Sequence, residues 1–187
     1  MTIFYLLRHA ESAPSHELKE SQWPLSVRGQ DQAEKLVPVL QDLRIQHIYS
    51  SPYLRAQQTV HPFSQATRLP VKTAHDLRER HFSDGLIDNF LEIMEHAWSN
   101  LDFCLPGCES GQKAQNRVRT CLDRLLDLHR SETLLLSSHG NLIGLLLKSL
   151  VPEYGFSNWR RMRNPDLFRL IVTDSGVTWD QGFRFEL

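Results

Sequence analysis

The sequence predicts an α/β fold: a three-layer α/β/α arrangement in which a mostly parallel, mixed sheet carries helices on both faces. Three observations predict it. Continuous apolar runs rich in β-formers, "TIFYLL" (2–7) and "ETLLLSS" (132–138), have strand length and little polar alternation, as strands buried on both faces do. Stretches with apolar residues every three or four positions separate such runs. Strands alternating with helices imply right-handed crossovers that lay helices on both faces of the sheet.

Taken in order, the strand 2–7 is followed by a helix whose apolar face is Ala33, Leu36, Val37, Leu40 and Leu43, with Ser26 as its N-cap. Pro38 interrupts that pattern and is expected to kink the helix or end it early, since an interior proline costs about 3 kcal/mol. "IQHIYS" (45–50) reads as a second strand and 53–64 as a helix. The segment 86–103 is helix-compatible but weakly patterned. A stronger helix spans 110–129, with Val118, Cys121, Leu122, Leu125 and Leu126 on one face. After the strand 132–138 comes an apolar helix, 141–151. The tail predicts two strands joined by a turn at Asp174, Ser175 and Gly176.

With no internal repeat, low-complexity tract or linker, the chain is expected to be one domain over residues 1–187. A net charge of -1 with 23% charged residues gives no overall attraction to nucleic acid or an anionic membrane. No apolar stretch reaches the roughly 20 residues that span a bilayer. Three cysteines, an odd number in a chain of this size, favour a reducing compartment. The first strand reaches charge at Arg8 without a basic leader, unlike a signal peptide. A cytoplasmic protein with a small-molecule partner is expected, and its oligomeric state is left open.

Ligands of such sheets bind beyond the carboxyl ends of the strands. There the sequence releases Arg8 and His9 after the first strand, Ser50, Ser51 and Arg55 after the second, and His139 and Gly140 after the strand at 132–138. Two arginines and two histidines suit a tetrahedral dianion, because guanidinium forks pair bidentately with phosphate oxygens and stay charged. The helix starting at Gly140 is expected to add free N–H groups and a positive dipole end. An imidazole can attack phosphorus, and nearby arginines should keep it neutral. Composition does not choose between His9 and His139.

At this point the residues resemble the histidine phosphatase superfamily, the phosphoglycerate mutase-like family. Its opening Arg-His-Gly-Glu-Thr appears as Arg8-His9-Ala10-Glu11-Ser12, and its Leu-Thr-x-x-Gly as Leu25-Ser26-Val27-Arg28-Gly29. Ser50-Ser51-Pro52 through Arg55-Ala56 to Thr59 matches in full; Leu77-Arg78-Glu79, Pro106-Gly107-Cys108-Glu109-Ser110 and Ser138-His139-Gly140 complete the set. The resemblance implies the family fold, a variable, substrate-covering region at about 80–105, and a cofactor-free, metal-free mechanism. His9 would be the phosphorylated nucleophile. Arg8, Arg55 and His139 would hold the phosphoryl oxygens, with Ser15 and Gly140 as further phosphate contacts. Glu79 would protonate the leaving alcohol and then deprotonate water. Ala10 stands where the family has glycine, which suggests that no positive φ is needed there or that some strain is tolerated. Ser15 stands where many members carry a longer asparagine.

Other readings are weaker. Asp76 or Asp84 could take the place of Glu79 in its charged loop. Glu109 and Ser110 read as a cap for the following helix. His75 and His81 have no helical ligand spacing, and Cys104 and Cys108 have no second pair, so no metal site is expected. One of Arg160, Arg161 and Arg163 could read a second anionic group. The sequence therefore predicts a metal-independent phosphomonoesterase working through a phosphohistidine on His9. The alternatives are a phosphoglycerate mutase-type phosphotransferase and a non-catalytic phospho-ligand binding module.

Overall fold

Along β1 (Thr2–Arg8), Phe4 and Leu6 enter one buried cluster while Tyr5 and Leu7 enter another, the period-two sorting of a strand covered on both sides. β4 (Thr133–Ser138) does the same, with Leu134 and Leu136 opposed to Leu135. These two strands are the centre of the sheet. The computed structural model describes residues 1–82 and 88–187. With β2 (His47–Ser50), β3 (Val71–Thr73), β5 (Asp166–Thr173) and β6 (Gly176–Trp179), they form a six-stranded sheet in the order β3-β2-β4-β1-β5-β6. The first four strands in that order run parallel; β5 pairs antiparallel with β1, and β6 antiparallel with β5.

One face is covered by α1 (Val27–Gln41) and α2 (Leu54–Thr67), which contribute Leu36, Leu40, Val60 and Phe63. The other carries α3 (Phe90–Ser99), α4 (Gly111–Leu128) and α5 (Gly140–Leu150), through Trp98, Val118, Leu122, Leu142 and Leu146. A short α6 (Phe156–Arg160) follows. The expected three layers are present, with helices on both faces.

Local chemistry explains the element ends. The Ser26 hydroxyl accepts from the Gly29 N–H at the start of α1, and the Ser110 hydroxyl accepts from the Lys113 N–H at the start of α4. Pro38 does not stop α1 at once. The helix continues to Gln41, and both Pro38 and Glu34, whose carbonyl loses its partner to the proline, are exposed to water. The weakly patterned 86–103 segment narrows to α3, and residues 86 and 87 lie outside the described residues, as does Asp84. No helix of the described residues is long and apolar enough to cross a membrane.

Candidate active site

Backbone hydrogen bonds gather three strand ends. The His9 N–H donates to the Ser138 carbonyl at 3.0 Å, and the Ser51 N–H to the Ser137 carbonyl at 2.9 Å. His9 and His139 therefore leave neighbouring strands side by side, with ring centroids 5.2 Å apart. Arg8 ends β1, and Arg55 lies in the first turn of α2.

The hydrogen bonds of His9 fix its tautomer. Nδ1 lies 2.7 Å from the Ala10 carbonyl, which can only accept, so Nδ1 carries the proton. Nε2 then keeps its lone pair and accepts from Arg55 Nε at 3.1 Å. Burial, followed by the Arg55 charge, pushes the His9 pKa down to about 3. The ring is neutral, with its lone pair on Nε2. His139 Nε2 sits 2.7 Å from the Ser51 hydroxyl, while its buried Nδ1 has no hydrogen-bond partner among the described residues. Burial, then Arg55 and His9, holds its pKa well below the ordinary histidine value.

Arg8 donates through Nη1 to the Met162 carbonyl at 2.6 Å, and its buried Nε has no hydrogen-bond partner among the described residues. Gly140 has a steric reason to be glycine: a Cβ there would fall 2.9 Å from Arg8 Cζ and Nε. Arg55 is more fully engaged than the sequence suggests. Besides His9 it donates to the Glu20 carbonyl at 2.7 Å and to Glu20 Oε1 at 2.6 Å, and it lies over the rings of Tyr53 and Trp23.

Glu79 is brought in by the chain after β3. The Ala74 N–H donates to the Ser50 carbonyl, and the Ser138 hydroxyl to the Leu77 carbonyl. The Glu79 carboxylate then accepts from the N–H groups of Asn141 and Leu142 at 3.1 and 3.0 Å, and from that of Arg80 at 2.8 Å. The α5 N-terminus expected to be free for a ligand is thus occupied by this side chain, the anion that a helix start favours. Desolvation outweighs those bonds and, with the Glu20 charge, raises the Glu79 pKa. Arg117 anchors the Glu79 loop. It pairs with both oxygens of Glu109 at 2.8 and 2.7 Å and donates to the Asp76 and Arg78 carbonyls. Ser110 caps α4 as expected, whereas Glu109 serves Arg117.

The motif around Leu25 supports the one around His9. The Ser26 hydroxyl donates to Glu11 Oε1 at 2.8 Å, and a Cβ on Gly29 would come 1.9 Å from the Glu11 carbonyl oxygen. Ala10, buried with Leu25 and Ala33, is not among the residues with positive φ, and its N–H donates to the Thr59 hydroxyl.

A cavity of about 330 Å³ opens here, lined by Arg8, His9, Glu11, Ser12, Trp23, Arg55 and Asn164. Ser15 is not part of that lining; its hydroxyl accepts from the Glu17 N–H within its own loop. Arg161 and Arg163 line other cavities. Sequence reasoning missed Glu20 and Asn164. The Asn164 side chain donates to the His9 carbonyl at 2.9 Å, which places it against the His9 backbone from 155 residues away.

Comparison with known proteins bears on the family and the fold. The chain is 29% identical over 185 residues to proteins named probable phosphoglycerate mutase GpmB from Salmonella typhi and Shigella dysenteriae, covering 91% of this chain and 85% of theirs. Among solved structures, a mycobacterial glucosyl-3-phosphoglycerate phosphatase with inorganic phosphate has a TM-score of 0.77 at 23% identity, covering 95% of this chain and 94% of that one. A phosphoserine phosphatase mutant from Entamoeba histolytica in complex with phosphoserine has a TM-score of 0.78 at 19% identity, covering 96% and 95%. These structures share the fold. The model of the histidine phosphatase superfamily (branch 1) matches residues 4–181, and the chain belongs to that superfamily.

Proposed function

We propose that the protein is a metal-independent phosphomonoesterase acting through a phosphohistidine on His9. The observation that carries this reading is the His9 tautomer: a neutral, buried imidazole with its Nε2 lone pair beside Arg55. In the first step Nε2 attacks phosphorus, the bond to the ester oxygen breaks, and Glu79 gives its proton to the leaving alcohol. In the second, water gives a proton to Glu79 and its oxygen attacks the phosphohistidine, returning neutral His9 and inorganic phosphate. Arg8, Arg55 and His139 stabilise the charge on the transferring phosphoryl oxygens, which is the work a cation performs elsewhere. The unpartnered Arg8 Nε and His139 Nδ1 belong to two of these three groups.

A second reading, phosphoglycerate mutase, has the names of the curated relatives behind it. A mutase must also hold the substrate's carboxylate. The cavity lining offers Arg8 and Arg55 as its cations, both engaged by the phosphoryl group in this scheme, together with the acidic Glu11. Hydrolysis of a phosphate ester is therefore preferred.

The test is turnover of an aryl phosphate in excess chelator, wild type beside His9→Ala, across pH 4 to 8, with acid-labile label sought on His9. Chelator-resistant turnover and labelling, both absent from the variant, are expected. Turnover persisting in His9→Ala overturns the assignment of the nucleophile, and phosphate transfer to an alcohol acceptor without hydrolysis selects the mutase.

A further inference from the structure

At the opposite rim of the sheet a second histidine pair meets a carboxylate. His47 begins β2, and His129 ends α4; a turn with Ser131 at φ 65° brings Glu132, just before β4, back onto His129. His47 Nε2 lies 2.8 Å and His129 Nδ1 2.7 Å from the same oxygen, Glu132 Oε2. The three donor atoms lie within 4.8 Å of one another, and the ring centroids are 4.0 Å apart. β4 separates this group from the active site by roughly 20 Å, at about 3.3 Å per residue. The mechanism proposed above uses none of these residues.

We propose that His47, His129 and Glu132 form a site for a divalent transition metal ion of the zinc class, bound through His47 Nε2, His129 Nδ1 and Glu132 Oε2 with water as the fourth ligand. The donor set is that of two imidazoles and a carboxylate with one open position. His129 also has the outer partner that ligating histidines usually possess: its Nε2 lies 2.8 Å from the buried Tyr49 hydroxyl, which fixes the ring and leaves Nδ1 for the ion. His47 and Glu132 are 26% and 35% exposed, so an ion has a path in and water a path to the fourth position. Ligands on a tetrahedral ion with bonds near 2.0 Å stand roughly 3.3 Å apart. The two nitrogens must therefore move outward from Glu132 by a little over half an ångström, and the partly exposed His47 and Glu132 can supply that movement. Binding requires each ring to be neutral with its proton on the nitrogen away from the ion, so His129 Nε2 then donates to the Tyr49 hydroxyl. The ion ties the end of α4 to the starts of β2 and β4.

Zinc chloride titrated calorimetrically into the intact protein tests this, with cobalt(II) as a spectroscopic probe. One zinc per chain is expected, with affinity at least about tenfold lower in His47→Ala, in the isosteric Glu132→Gln and in Tyr49→Phe, and unchanged in His9→Ala. The visible bands of four-coordinate cobalt should appear in the wild type and be absent from His47→Ala. Circular dichroism of each variant separates ligand loss from unfolding, and Glu132→Gln preserves side-chain shape. An absence of zinc binding overturns the proposal, as does binding unchanged by both His47→Ala and Glu132→Gln, or binding lost only in His9→Ala.

Discussion

Two histidine pairs sit at opposite ends of the same parallel strands, and the charges around them differ in sign. At the carboxyl ends, His9 and His139 are buried beside Arg8 and Arg55, and both are held neutral. At the amino ends, His47 and His129 share one oxygen of Glu132, whose pKa is lowered by its bond to His129. Residue type is the same; the neighbouring charge separates a candidate nucleophile from a candidate ligand. An imidazole among cations stays neutral, whereas two imidazoles on one carboxylate oxygen form a donor set that an ion could bridge.

The largest expected effect tests the upper rim alone. Glu79→Gln should lower turnover of alkyl phosphates by roughly 10²–10⁴-fold and that of aryl phosphates far less, because aryl leaving groups need little protonation. Equal losses on the two substrate classes, in steady-state assays, would mean that Glu79 is not the acid. The raised Glu79 pKa also has a sign: the acid acts protonated, so wild-type turnover of alkyl esters should persist above pH 4.5 and fall as pH rises through the shifted value. Arg55→Gln comes next, with a loss of kcat of roughly 10²–10³-fold for one charge-stabilising group. A loss under tenfold would detach Arg55 from the phosphoryl group and weaken the contrast between the rims.

Stability against acid separates the two ends more finely. An unfolded histidine takes a proton near pH 6.5, whereas folded His9 does so only near 3, so its contribution is complete above 6.5 and is lost progressively as pH falls toward 3. Glu132 has a lowered folded pKa; its contribution is present above its unfolded value of 4.5 and is lost as pH falls below it. Urea midpoints measured from pH 7 to pH 3 should therefore decline below pH 6.5 and more steeply below 4.5. Glu132→Gln should remove only the added steepness below 4.5, and a change confined to the range above it would reverse the assignment. The smallest effect concerns Glu20, which engages two of the Arg55 donors. Its side-chain ion pair is part-exposed, so Glu20→Gln should tighten competitive inhibition by inorganic phosphate only about two- to fivefold. Weaker inhibition in the variant would make Glu20 a partner of the ligand rather than its rival.

The parts of the molecule legible in the sequence are those that depend on neighbours along the chain. β1 and β4 announce themselves because a strand buried on both faces must be apolar throughout, and Ser26 and Ser110 mark helix starts because a hydroxyl there satisfies an otherwise free N–H. β3 was illegible: three residues at a sheet edge, Lys72 and Thr73 exposed, carry no apolar run. Of the site, His9, Arg8, Arg55, Glu79 and His139 could be placed on one rim because motif order and strand ends agree. Glu20 and Asn164 could not, since each reaches the site across folded distance from a segment that reads as an ordinary polar loop. The free helix start expected at Gly140 failed for a related reason. Sequence shows that N–H groups exist there, but the carboxylate that takes them comes from Glu79, more than 60 residues earlier. His47 and Glu132 are 85 residues apart and meet only through the pairing of β2 with β4.

The clamp that Arg117 places on the Glu79 loop carries a lesson for reading genetic screens. Its guanidinium holds Glu109 and the carbonyls of Asp76 and Arg78 at once, so the segment bearing the acid is fastened to α4 from below. Random variants scored only by activity would rank Arg117 beside Glu79, though its guanidinium is spent on Glu109 and two backbone carbonyls. Scored by folded yield as well, the two positions would part: one silences the chemistry in an intact protein, and the other lets a whole loop come adrift.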